Sequence, residues 1–375
     1  MRRGLEKSEP VTGSREGCSL AGTVAPRRLT RRDFLRVGGG AAIGACALPS
    51  LACGRAARSA DAGQGDSTSR GPVGLWYEAN NMGTAGGMPP DFEEKFYRPE
   101  TWAQAREAID VYYVRAATLL NPDNGLDDSF LGDFFVPVLE GSGVEIALDA
   151  VGAGFLLARP ANSTARIERE VALMEKLGKM GGRVGYVALQ SVLSKPLRKE
   201  SKVVEYPMQQ RIEDVVGYAK AVRERLPEIE LGILDALPTK GLEYREPYGQ
   251  LATALDKDGL KLDFVHLDCP YEHPQQGTRI TWEGVKEVET FVKQDVGARF
   301  GLVCTSRTGG EASDEAWHDN VLDAPKQYAE ADGNPNEYVV MSWFPYPASS
   351  IPESAGADTF TETKTVLAFS RGLGR

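Results

Sequence analysis

Histidine and cysteine are scarce in this sequence, with three His and five Cys among 375 residues. There is no Cys-x-x-Cys pair, no His-x-His and no His-Glu-x-x-His, so the usual ligand sets for zinc are missing. An excess of basic charge is missing too. The formal net charge is −10, whereas a phosphate backbone is held by clustered Lys and Arg, which excludes nucleic acid as the main partner. No Gly-x-Gly-x-x-Gly turn follows the first apolar run, so no dinucleotide cradle is offered and no cofactor is expected. The apolar run 38–52 is too short to cross a bilayer as a stable helix. What is present is ordinary for a globular chain: 42% hydrophobic and 26% charged residues, and length enough for one large domain or two smaller ones.

The N-terminal part reads as an export segment. Thr30-Arg31-Arg32-Asp33-Phe34-Leu35-Arg36-Val37 resembles the twin-arginine motif of bacterial Tat signals, and the Gly- and Ala-rich run that follows supplies its apolar core. Ser50-Leu51-Ala52-Cys53-Gly54 is similar to a lipobox, which would make Cys53 the lipidated residue. Ser50 stands where that motif usually has Leu, and Ser50-x-Ala52 also fits the small-x-small rule of ordinary signal peptidase. Residues 1–53 are therefore expected to be a Tat signal, and 54–71, poor in large apolar residues, a flexible tether. The expected location is outside the cytoplasm, in the cell envelope or beyond it. A lipid on Cys53 would be the one contact with a membrane.

From residue 72 onward short apolar runs alternate with helical stretches. The expected strands are Val73–Glu78, Val111–Ala116, Val144–Ala150, Val184–Gln190, Ile229–Asp235, Leu262–Asp268, Arg299–Thr305 and Tyr338–Trp343. The clearest helices are Ala161–Met180, Met208–Leu226, Thr281–Val296 and Thr359–Leu373, the last opening on Thr359-Phe360-Thr361-Glu362, which has the pattern of a capping box. Eight alternations in one domain, 72–375, are what an α/β (β/α)8 barrel requires, with a doubly wound sheet as the alternative.

In such a barrel the chemistry sits at the C-terminal strand ends, and alternate side chains face the interior. Placing the apolar positions toward the helices turns Trp76 and Glu78 inward, with Tyr113 and Arg115, Asp149, Tyr186 and Gln190, Leu231, Ile233 and Asp235, and Phe264, His266 and Asp268. One rim then carries Glu78, Arg115, Asp149, Gln190, Asp235 and Asp268. Buried charge is costly unless paired or used. Helix capping or pairing with Arg115 is the alternative role for each of these acids, and a slip of one residue would invert any strand. Trp343, Tyr271 and Trp76 lie at the same end. Flat apolar rings beside carboxylates suit a sugar, whose C–H faces stack while its hydroxyls bond the acids.

The barrel with acids at several strand ends and the Ser342-Trp343 pair ending the last strand is similar to the retaining glycoside hydrolase superfamily, and Ser342-Trp343-Phe344-Pro345-Tyr346-Pro347 followed by Ile351-Pro352-Glu353 resembles glycosidase-like barrel proteins. The resemblance implies a carbohydrate substrate. It departs where that superfamily carries its two catalytic Glu residues: the fourth strand ends Leu189-Gln190-Ser191 and the seventh Cys304-Thr305-Ser306-Arg307. Three readings follow. The first is a glycosidase using two of Asp268, Asp235, Asp149 and Glu78, with Asp268 and Asp235 favoured and Trp343, Tyr271, Trp76, Arg115 and Gln190 binding substrate. The second is a non-catalytic carbohydrate-binding lipoprotein. The third is a metal-dependent hydrolase or lyase using the same oxygen donors. Cys269 and Cys304, at neighbouring strand ends, fit either a disulfide or two small buried hydrophobes.

Overall fold

Eight strands pair in parallel into one closed barrel. They are β1 Gly74–Glu78, β2 Val111–Arg115, β3 Glu145–Ala150, β4 Val184–Gln190, β5 Glu230–Asp235, β6 Phe264–Asp268, β7 Arg299–Cys304 and β8 Glu337–Val340. Each pairs with its neighbour in sequence, and β8 closes onto β1 through Gly74↔Glu337 to Tyr77↔Val340. The chain is thus a (β/α)8 TIM barrel. The computed structural model describes residues 73–80, 88–150, 160–193, 197–199, 202–204, 207–236 and 244–375. The twin-arginine motif, Cys53 and the tether lie outside the described residues.

Helices cover the strands on the outside. Pro160–Lys179, Met208–Arg225 and Glu362–Gly372 match expected helices within a few residues. Trp282–Phe291 runs on through a π-turn, Val292–Val296, and stops at Gly297, whose φ of 74° suits glycine. Met208–Arg225 buries Ile212, Val215, Val216, Ala219 and Val222, a helical stripe facing the wall. β8 stops earlier than expected. The Ser342 hydroxyl donates to the Tyr346 carbonyl at 2.8 Å and accepts from Phe344 N–H at 3.3 Å, so a side-chain turn replaces the ladder there.

The start of the last helix also departs from expectation. Thr361, not Thr359, is the cap, accepting from Lys364 N–H at 3.2 Å. Glu362 therefore opens the helix with its carboxylate turned to the barrel wall. It accepts from Tyr77 Oη at 2.8 Å, Ser350 Oγ at 2.6 Å and Asn80 N–H at 2.5 Å. Nearby, the fully buried Lys95 ammonium lies 4.8–5.7 Å from the ring centroids of Tyr77, Tyr112, Trp102, Phe92 and Phe96. Desolvation pushes Glu362 up to about 7 and Lys95 down to about 8.

The wall separates two cores. Outside it, between strands and helices, pack Leu75, Tyr77, Tyr112, Val114, Leu148, Leu231, Ile233, Val265, Leu267 and their helical partners. Inside it pack Trp76, Val111, Tyr113, Ala147, Ala188, Leu234, Phe264, Val303, Val339 and Met341. Aromatic rings fill the lumen, and glycine makes room for them. A Cβ on Gly232 would lie 2.2 Å from the Phe264 ring, and one on Gly301 would lie 2.4 Å from the His266 ring. Those glycines sit beside the two rings in the β5–β6 and β6–β7 registers, Gly232↔Phe264 and His266↔Gly301.

Candidate active site at the barrel mouth

The inner-face residues set the phase of every strand and hence what reaches the mouth. Glu78 follows Trp76 on β1, Arg115 follows Val111 and Tyr113 on β2, Asp149 follows Ala147 on β3, and Gln190 follows Ala188 on β4. Asp268 follows Phe264 on β6. These five share one rim, as the alternation of their strands implies. Glu78, Arg115 and Asp149 are buried, whereas Asp268 and Gln190 are partly exposed.

Arg115 gathers the first acids. Its Nε donates to Asp149 Oδ2 at 3.2 Å and lies 3.6 Å from Glu78 Oε1. One guanidinium thus stands between two carboxylates on flanking strands, where charge-assisted bonds are strong and the loss of one partner is expensive. A small pocket lined by Glu78, Asn80, Tyr113, Arg115 and Thr118 opens beside them. In the closed strand order β6 stands four strands from β2, so Asp268 faces this cluster from the other side of the barrel.

Asp235 corrects the expectation. Leu234, not Ile233, faces the lumen, and Leu231 and Ile233 belong to the outer core. Asp235 therefore points into the helix layer, where Tyr248 Oη donates to Oδ2 at 3.2 Å and Ala236 N–H donates to Oδ1 at 2.9 Å. The physical reason lies next door: the Phe264 ring occupies the space of any side chain at position 232, so glycine takes the inner position.

Two aromatic expectations change as well. Trp76 is 2% exposed and packs 4.7 Å from Tyr186, 5.3 Å from Phe264 and, edge-on, 4.7 Å from His266. It is lumen filling and offers no open platform. Tyr271 leans toward the helices, donating from its hydroxyl to Asp323 Oδ2 at 2.8 Å with its ring 6.3 Å from that of Trp282. Trp343 is partly exposed and packs on the inner core, and its indole N–H has no hydrogen-bond partner among the described residues.

His266 is fully buried below Asp268. Its Nε2 lies 3.9 Å from Glu337 Oε2, beyond hydrogen-bonding range, and burial holds its pKa below the ordinary value. Glu337 is instead bound by Arg299 Nε at 2.6 Å. Cys269 and Cys304 are free, buried thiols in the outer core, and burial pushes both pKa values up, as it does for structural cysteines.

The sequence pattern gives no sign of two polar groups near the mouth. The hydroxyls of Thr305 and Ser191, like that of the inward-facing Tyr113, are buried and have no hydrogen-bond partner among the described residues. Ser191 also has a φ of 54°, in the left-handed region, with its N–H donating to Leu234 O at 2.7 Å. Strain of this kind costs about 1–3 kcal/mol and collects at functional sites. A serine at position 191 of the sequence does not announce it. Among the described residues no group of three His, Cys, Asp or Glu side chains is arranged to hold a metal ion.

No family model matches this sequence, and no curated protein matches it. Its fold is nonetheless shared. The chain is similar to a psychrophilic glycoside hydrolase family 10 endo-β-1,4-xylanase, at 12% identity over 79% of this chain and 96% of that one, with a TM-score of 0.50. It is similar to the intracellular xylanase of Thermoanaerobacterium saccharolyticum, at 12% identity over 78% and 95% of the two chains and a TM-score of 0.50. A glycoside hydrolase family 10 endoxylanase from a sugarcane soil metagenome gives 12% identity, coverage of 79% and 97%, and a TM-score of 0.50. Likeness at this identity shows the (β/α)8 barrel fold alone; the chemistry has to be argued from the residues.

Proposed function

We propose that the protein hydrolyses a glycosidic bond at the mouth of its barrel. The observation that carries this reading is the disposition of charge: partly exposed Asp268 on β6 stands across the mouth from Glu78 and Asp149, held together by Arg115. Cleaving an acetal needs a proton for the leaving oxygen and negative charge near the anomeric carbon. Asp268 is the proton donor in this reading. The carboxylates of Glu78 and Asp149, beside the Arg115 guanidinium, stabilise the developing oxocarbenium, orient the attacking water and accept its proton. Trp343 stacks on the sugar face, and Gln190 bonds a hydroxyl. Export by the twin-arginine route, with a lipid on Cys53, is part of the same proposal and is supported by Arg31, Arg32, Phe34 and Leu35.

The test is Asp268→Asn assayed on a panel of aryl glycosides and β-1,4-linked oligosaccharides. Loss of a positioned acid should lower turnover by about 10²- to 10⁴-fold. Undiminished turnover would remove Asp268 from the mechanism. One observation favours a second reading, carbohydrate binding without cleavage: Arg115 already engages both Glu78 and Asp149. Calorimetric glycan binding with no released sugar after long incubation would select it.

A further inference from the structure

We propose that Asn80 is a positioning residue, the clamp that fixes the strand end carrying Glu78 against the loop carrying Trp343. This rests on the reading of the mouth as a glycosidase site. Asn80 lies two residues beyond Glu78 and is 1% exposed. Its Nδ2 donates to Phe344 O at 2.8 Å and to Pro347 O at 3.0 Å. A carboxamide nitrogen carries two hydrogens, and each has a carbonyl of the loop after β8. Phe344 directly follows Trp343, so one side chain ties an acid on the first strand to the aromatic that follows the last strand.

The clamp is itself anchored from behind the wall. Asn80 N–H donates to Glu362 Oε1 at 2.5 Å, and the same carboxylate takes Ser350 Oγ at 2.6 Å from the far end of the loop. Asp91 Oδ2 accepts Ser350 N–H at 2.8 Å and Ile351 N–H at 2.9 Å. From the opposite side Tyr346 N–H donates to Gly310 O at 2.9 Å, and a Cβ on Gly310 would lie 2.7 Å from Phe344 Cβ, so glycine lets the loop sit close. The loop is thus pinned on both flanks. Asn80 is the point where those contacts meet the strand end bearing Glu78, and its two-donor geometry is unavailable to Asp, Ser or Ala.

Asn80→Ala tests the assignment through two measurements: hydrogen exchange on the free protein, and steady-state kinetics on a glycoside that the wild type turns over. Amides of residues 343–350 should exchange about tenfold faster while those of the barrel strands stay unchanged. Turnover should fall on the order of 10- to 100-fold with KM changed by less than about threefold, as expected when reacting groups shift by an ångström. Exchange at the wild-type rate in 343–350 would overturn the clamp. A loosened loop with kcat within about twofold of wild type would overturn its positioning role. Should the alanine variant not fold, Asn80→Ser keeps one donor and is read the same way, with an intermediate shift expected. Wild type that cleaves no glycan defeats the proposed reaction, and the clamp is then judged on exchange alone.

Discussion

β1 and β5 stand on opposite sides of the barrel, and each ends in a buried acid. Glu78 faces the lumen, 3.6 Å from Arg115, while Asp235 faces the helices and takes a hydrogen bond from Tyr248 at 3.2 Å. Residue type, burial and position at the strand end do not distinguish them. Phase does. On β1 the indole of Trp76 fills the lumen and carries Glu78 inward with it. On β5 a glycine yields to the Phe264 ring of the next strand, and that choice sends Asp235 outward. A carboxylate is thus available for chemistry or committed to architecture according to which face its strand neighbours need filled.

The largest effect should come from removing the cation that the inward acids share. Arg115→Met leaves Glu78 and Asp149 buried without their common partner, which should cost about 3–5 kcal/mol of unfolding free energy in urea titration and abolish turnover. A loss under about 1 kcal/mol would mean that the two acids do not depend on Arg115. Next in size is Gly232→Ala. The added methyl would meet the Phe264 ring at 2.2 Å, and overpacking should cost about 3 kcal/mol, seen as a lowered urea midpoint at unchanged slope. Near-neutral stability would show that position 232 faces the helices and would break the comparison at its root.

The barrel itself was legible because eight β-rich runs alternated with helical stripes, and most boundaries fell within a residue or two. Glu78, Arg115, Asp149, Gln190 and Asp268 were placed on the rim by simple alternation, since polar and apolar positions in the last residues of their strands left one consistent phase. β5 resisted. Leu231-Gly232-Ile233-Leu234 is apolar on both faces, as buried parallel strands are, and alternation carries no information there. The readable signal was Gly232, but its meaning depends on the register with Phe264, a long-range fact. Trp76 and Tyr271 mislead for a similar reason. An aromatic near a strand end says that a large ring is buried, and only its neighbours, the lumen rings for one and Asp323 for the other, say where. Glu362 carried a helix-start pattern, yet its partners Tyr77, Asn80 and Ser350 come from three separate segments.

The smallest expected effect is the sharpest test of the comparison. Asp235→Asn is nearly isosteric, and its carboxamide oxygen can still accept from Tyr248 or from Ala236 N–H. The exchange of a charged acceptor for a neutral one in a fully buried setting should cost about 1 kcal/mol of stability. Turnover should stay within about twofold of wild type, because the side chain lies on the far side of the wall from the mouth. Asp268→Asn, the same chemical change on the adjacent strand, should leave stability nearly unaltered and remove most of the activity. The two variants should therefore cross, one losing stability without activity and the other activity without stability. Equal loss of turnover in both would place Asp235 in the mouth and defeat the assignment of inner and outer faces, whatever the outcome for the other acids.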